Sequence, residues 1–210
     1  MGIKMNALWI WYISKNDMDS LIKVCDKYNI DTLLIHYNCF HLKTYIEYIY
    51  PNRFKFEVLV GDANINHTAE TIKPIAAKYP HEIIHLNIEH YSRVQGISEF
   101  NKRLEDIFRV LEGRIITFDV QTWNHSKKYK QLMKMCYKVY LMAYDNTLIG
   151  TLFKVIQWFN YNLVVGLELN PDYKRAYLHN ADRNIPIIDT VCSWLPMYNG
   201  LAIHHFGCLK

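Results

Sequence analysis

What this 210-residue sequence lacks removes several classes of protein at once. No charge of one sign dominates: 24 Lys and Arg stand against 20 Asp and Glu, a net +4 scattered along the chain. A nucleic-acid binder gathers its basic residues into one face, so nucleic acid is not expected as a partner. No apolar run reaches the roughly 18 residues of a membrane span. The opening MGIKMNALWIWYI has neither a charged leader before a long apolar stretch nor a small-residue cleavage site. A soluble, cytoplasmic protein without a membrane partner is the expectation. Gly2 does not read as a myristoylation site, because Asn6 stands where that signal carries Ser or Thr. Five cysteines (Cys25, Cys39, Cys136, Cys192, Cys208) make an odd number with no C-x-x-C pair. Neither a disulfide framework nor a zinc ribbon follows, and reduced thiols are expected. No Gly-rich phosphate turn follows the first apolar run, where WIWYISKND stands instead, which argues against a dinucleotide-binding open sheet. No linker or shift in composition divides the chain, so residues 1–210 are expected to form a single domain.

What is present is a repeating alternation. Eight short runs rich in β-branched and apolar residues read as strands: 7–12, 32–36, 55–61, 82–89, 114–120, 138–144, 162–168 and 200–205. Between them lie helical stretches. In 16–29, Met18, Leu21, Ile22 and Cys25 fall at i, i+3, i+4 and i+7, with Asn16 or Asp17 to cap them. The stretches 67–80, 98–113 and 126–137 behave alike, the second ending on Gly113, while Pro74 predicts a late start or a kink in the first. The Tyr-rich segment 37–54 has a weaker pattern, and Tyr45, Tyr48 and Tyr50 in it suggest a packing or partner surface. Eight strands alternating with helices predict an α/β fold, a compact (β/α)8 TIM barrel, with a doubly wound sheet as the alternative.

A barrel of this kind carries its site at the C-terminal ends of the strands, on the inward-facing parity. One parity near those ends holds Trp9 and Trp11, Leu34 and His36, Val60 and Asp62, then His85, Asn87 and Glu89. It continues with Asp119 and Gln121, Met142 and Tyr144, Gly166 and Glu168, and Ala202 and His204. Every strand but the first, whose tip is tryptophan, delivers a polar group to the same rim. The opposite parity (Leu86, Ile88, Phe118, Val120, Val165, Leu167, Ile203) is apolar. Glu89 and Glu168 are therefore the candidate catalytic pair, since glycosidic cleavage needs one carboxyl to protonate the leaving oxygen and another as nucleophile or base. Their separation, roughly 5 Å or 6.5–9.5 Å, would divide retention from inversion. Around them, Trp9, Trp11, His36, Asp62, Asn87, Tyr91, Asp119, Gln121, Trp123, Met142 and His204 are candidate substrate-binding residues. Aromatic faces among them suit the apolar faces of sugar rings. A carbohydrate ligand is expected, with no cofactor and no metal; oligomeric state is left open.

Two resemblances bear on this pattern. NIEHY (87–91) with LMAYDN (141–146) resembles the chitinase-like glycoside hydrolases of family 18, whose fourth strand carries D-x-x-D-x-D-x-E and whose sixth ends in M-x-Y-D. Met142, Tyr144 and Asp145 match the sixth-strand motif, which places Tyr144 and Asp145 in the catalytic set. On the fourth strand Glu89 matches, whereas Glu82, His85 and Asn87 stand where the aspartates would be. The aspartate two before the acid orients the substrate's acetamido group in that family, and Asn87 cannot carry its charge. Across the whole chain, W-x-W, VGD (60–62), NIEHY, LMAYD, VGLE (165–168) and AIHHF (202–206) are similar to a set of uncharacterised bacterial barrels grouped with glycoside hydrolases. Two other readings stay open: a barrel that binds sugar without cleaving it, and a metal-assisted hydrolase using His36, His85, His204, His205, Asp62 and Asp119.

Overall fold

The computed structural model describes residues 5–61, 67–88, 96–120, 126–143, 148–168, 181–195 and 197–204. Eight strands are present: β1 (Met5–Ile10), β2 (Thr32–His36), β3 (Lys55–Gly61), β4 (Ile83–Asn87), β5 (Ile116–Val120), β6 (Lys138–Met142), β7 (Leu163–Glu168) and β8 (Tyr198–His204). Each pairs in parallel with the next, and β8 pairs in parallel with β1, so the sheet closes. This is the expected (β/α)8 barrel and excludes the open doubly wound sheet. The strands alternate with α1 (Met18–Lys27), α2 (Lys43–Ile49), α3 (Ala69–Lys78), α4 (Ile97–Val110), α5 (Lys127–Met133), α6 (Leu148–Gln157) and α7 (Ala181–Cys192).

Local chemistry sets the helix boundaries. Asp17 stands at the N-cap of α1, as expected, but makes no side-chain cap bond to the helix: its carboxylate accepts from the Ser14 backbone N–H and hydroxyl, at 2.8 and 2.7 Å, and Ser14 caps the short 3₁₀ turn (15–17) that precedes α1. Thr68 and Thr71 cap α3 reciprocally, and the helix then runs through Pro74. Pro74 is exposed, so the bond it cannot make to the Glu70 carbonyl is lost on the water side, where it costs least. On α4, Phe100, Leu104, Ile107 and Phe108 form the buried stripe, and the chain turns at Gly113 with φ 79°, which glycine adopts without strain. The weakly patterned 37–54 holds a 3₁₀ turn and α2, with Ile46 fully buried, Tyr45 and Tyr50 packed on the core and Tyr48 exposed.

Two cores result. The larger lies between strands and helices and takes the predicted apolar parity, including Leu86, Ile88, Phe118, Val120, Val165, Leu167 and Ile203. The smaller fills the barrel with Ala7, Trp9, Leu34, Leu59, Tyr140, Val164 and Ala202. Strand β3 departs from the prediction. Leu59 belongs to the barrel interior and Val60 to the outer core, so the inward positions of β3 are Glu57, Leu59 and Gly61. Parallel strands are buried on both faces, and the apolar residues of KFEVLVG therefore carry no phase.

Candidate functional site

Inside the barrel, three ionisable side chains with almost no exposed surface meet: Glu57 from β3, His85 from β4 and Asp119 from β5. His85 Nδ1 lies 2.9 Å from Thr117 Oγ1 and 3.3 Å from Glu57 Oε2, and its Nε2 lies 3.1 Å from Asp119 Oδ2. The Thr117 hydroxyl donates to Glu57 Oε2 at 2.6 Å, and the Tyr140 hydroxyl to Glu57 Oε1 at 3.2 Å. One donor scheme satisfies these contacts. His85 is an imidazolium whose Nδ1–H donates to Thr117, which passes its own proton toward Glu57, and whose Nε2–H donates to Asp119. The Trp9 indole N–H lies 3.1 Å from Asp119 Oδ2 and 3.2 Å from His85 Nε2. A protonated nitrogen cannot accept, so the indole donates to the aspartate.

Electrostatics supports that scheme. Burial alone would strip the proton from His85, but the charge and hydrogen bond of Asp119, followed by those of Glu57, overcome it and raise the imidazole to about 9. Burial would likewise raise the Glu57 carboxyl; the His85 hydrogen bond and charge, the Thr117 hydroxyl and Lys138 override it and hold Glu57 below the usual range. Burial, reinforced by the charges of Glu57 and Asp119, pushes the Tyr140 phenol well above its usual range, so it remains a donor. The result is a charged floor, Glu57⁻–His85⁺–Asp119⁻, sealed by Trp9. Gly166 on β7 makes room for that indole: a Cβ there would stand 2.9 Å from Trp9 Cη2.

Above the floor the barrel opens into an aromatic and imidazole ring. The Trp11 indole N–H donates to His204 Nε2 at 3.3 Å, which fixes the His204 proton on Nδ1. His36 Nε2–H donates to the Gly61 carbonyl at 3.1 Å. Trp11 lies between the two imidazoles, with ring centroids 5.8 Å from His36 and 6.3 Å from His204, and the Trp9 ring is 5.6 Å from His204. Asn87 ends β4 and Asp119 lies on β5, one step beyond the Leu86–Phe118 register pair, so the two are neighbours on the inward parity. Each is buried, and Asn87 Oδ1 and Asp119 Oδ1 have no hydrogen-bond partner among the described residues. These are adjacent acceptors.

The structure thus brings together Trp9, Trp11, His36, Asn87, Asp119 and His204 of the predicted set, with Met142 half-buried at the end of β6. Trp9 and Asp119 are fully buried and form the floor. Glu168 closes β7 opposite His204 in the strand register. Asp62, Glu89, Tyr91, Gln121, Trp123, Tyr144 and Asp145 lie outside the described residues, as does His205. Glu57, Thr117 and Tyr140 are additions. The signal for the first was a lone carboxylate inside an otherwise apolar strand. Of the histidines named for a metal centre, the three described ones have other partners: His85 two carboxylates, His204 the Trp11 indole, His36 a carbonyl. Among the described residues no group of three His, Cys, Asp or Glu is arranged to hold a metal ion.

No protein-family model and no curated protein sequence matches this chain. Solved structures do. A GH18 chitinase from Pseudoalteromonas aurantia superposes with a TM-score of 0.68 at 9% identity, over 94% of this chain and 93% of that one. A xylanase-α-amylase inhibitor protein in complex with trehalose gives 0.66 at 11% identity, over 98% and 94%. Pyruvate kinase from Pyrobaculum aerophilum gives 0.55 at 8% identity, over 99% of this chain and 68% of that one. Identities this low establish the shared barrel and leave function to the site itself.

Proposed function

We propose that this barrel binds a carbohydrate over its C-terminal mouth and cleaves a glycosidic bond there, with Glu89 and Glu168 as the paired carboxylates. The observation that carries the reading is the pair of buried acceptors, Asn87 Oδ1 and Asp119 Oδ1, beneath a ring of tryptophan and imidazole. A buried acceptor left without a donor costs about 1–3 kcal/mol. Both oxygens have almost no accessible surface, so a ligand's hydroxyl donors recover that cost only where binding opens a path to them, and Trp11 supplies an aromatic surface for the apolar face of a sugar ring. In this reading Glu89 protonates the leaving oxygen and Glu168 supports the oxocarbenium-like carbon, while Tyr144 and Asp145 complete the machinery on the sixth strand. The chitinase and the trehalose-bound inhibitor protein, barrels of the same fold, support sugar as the ligand class.

The alternative is a sugar binder without catalysis, favoured by the neutral Asn87 two residues before Glu89. Hydrolysis and binding of a panel of oligosaccharides by the wild type, Glu89→Gln and Glu168→Gln separate the two. Turnover lost in both variants, with binding kept, is the expected result. Binding with no wild-type turnover selects the non-catalytic reading. Turnover indifferent to both substitutions removes these carboxylates from the mechanism, and failure to bind any saccharide removes carbohydrate altogether.

A further inference from the structure

The outer layer of the barrel is not uniformly polar. Helix α6 has the sequence LIGTLFKVIQ, with Lys154 as its one charged residue. Its inner side is defined by the buried Thr151, Val155 and Trp158, and at 100° per residue Ile149, Phe153 and Ile156 fall on the opposite, outward side. They are 58 to 80% exposed. Helix α7 is anchored by the buried Ile188 and Cys192. One of its flanks, carrying Ile185, Pro186 and Asp189, borders a cavity of about 310 Å³ whose other wall is the end of α1 at Lys27, Tyr28 and Asn29. The other flank therefore looks toward α6, which α7 contacts directly. That flank carries Ile187, Val191 and, one turn on, Trp194, the last 82% exposed. Two apolar stripes thus run side by side across neighbouring helices.

From this juxtaposition we propose that the α6–α7 face is a homodimer interface, packed against the same face of a second copy. The exposed apolar area selects that occupant. The six side chains leave roughly 800 Å² in water, taking about 150–250 Å² for a whole large aromatic, which is what each partner buries in a standard stable interface. Lys154 lies on the flank of α6 away from α7 and Asp189 on the flank of α7 away from α6, while Arg183 precedes Ile187 by one turn on α7. A two-fold axis sets the stripe of one copy against the same stripe of the other, residue i on j and j on i, so apolar side chains meet apolar side chains. The interface lies on the barrel's flank, away from the strand ends.

Sedimentation velocity of the full chain between about 1 and 100 μM tests this. The wild type is expected at twice 25.0 kDa. Phe153→Glu and Trp194→Glu each raise the dimer Kd by roughly 30-fold or more, the effect of removing a hot spot, with an unchanged far-UV circular dichroism spectrum. Ile149→Lys gives an independent third probe of the face. Tyr48→Glu on α2, equally exposed but outside the stripe, leaves the dimer intact. A wild type monomeric across the range overturns the proposal. So does a dimer that resists the α6–α7 substitutions and yields to Tyr48→Glu. A monomer that pellets with phosphatidylcholine–phosphatidylserine vesicles assigns the face to lipid and overturns it equally.

Discussion

Replacing His85 by glutamine removes the one cation in the floor, and the consequence is a change in how stability depends on pH. In the folded chain the imidazole titrates near 9, against an ordinary value of 6.5. A pKa raised on folding stabilises fully below the unfolded value and loses that contribution as pH climbs through the folded one. Shifts of this kind convert at 1.36 kcal/mol per unit, so the wild type loses about 3 kcal/mol between pH 6 and pH 10 from this group. For a chain of this length that is a fall in Tm of about 10 °C. The Glu57 carboxyl works in the other direction: held below its ordinary range, it stabilises at neutral pH and gives that up as pH falls through its folded value. Stability should therefore be greatest between the ordinary carboxylate and imidazole ranges.

The assay is urea unfolding at half-unit steps from pH 6 to 10 for the wild type and His85→Gln. Other tyrosine, lysine and cysteine titrations are common to both proteins, so the difference in slope belongs to the imidazole. At pH 6 the variant should be about 3–5 kcal/mol less stable, because Glu57 and Asp119 lose the charge between them. It should also lack the alkaline loss. Nitrogen-15 NMR of the wild-type imidazole at pH 7.5 is the second check, with both ring nitrogens expected protonated. Equal alkaline slopes, or a neutral tautomer in the spectrum, would refute the charged floor.

Three further outcomes follow from the same geometry. Gly166→Ala places a Cβ 2.9 Å from Trp9 Cη2 and 3.2 Å from the Leu141 carbonyl; urea unfolding should show a loss of about 1–3 kcal/mol from overpacking. Trp11→Phe keeps an aromatic face and removes only the bond to His204, so calorimetry should show sugar affinity within about threefold of wild type, against a loss of about tenfold for Trp11→Ala. Asn87→Asp adds a carboxylate beside Asp119 with no cation to meet it and should destabilise by about 1–3 kcal/mol at pH 7. The double variant Asn87→Asp/Asp119→Asn, which moves the charge one strand over, should recover part of that loss.

Much of the barrel could be read from the chain because its signals are local. Eight strand-like runs, a buried outer parity and several helix stripes each depend on residues within a few positions of one another. The inward parity of β4, β5 and β8 was legible for the same reason, since Asn87, Asp119 and His204 alternate with apolar residues. Strand β3 was not, because Val60 and Leu59 are equally apolar and the strand is buried on both sides. Glu57 could not be assigned from its neighbours in sequence. Its partner Thr117 lies 60 residues away and Tyr140 lies 83 away, and only closure of the barrel brings them together.

That closure also accounts for the asparagine at 87. His85, the single cation of the floor, is already shared by Glu57 and Asp119, so the three groups carry about one net negative charge when all are ionised. A further aspartate on β4 would face Asp119 from the adjacent register position with nothing left to neutralise it. In a low-dielectric interior one of the two would then hold a proton. Asn87 offers an acceptor at the same place without that conflict, and Asp119 provides the negative charge one strand further on. Under the proposed function, a carboxyl above this net negative floor keeps its proton more firmly, as a general acid must.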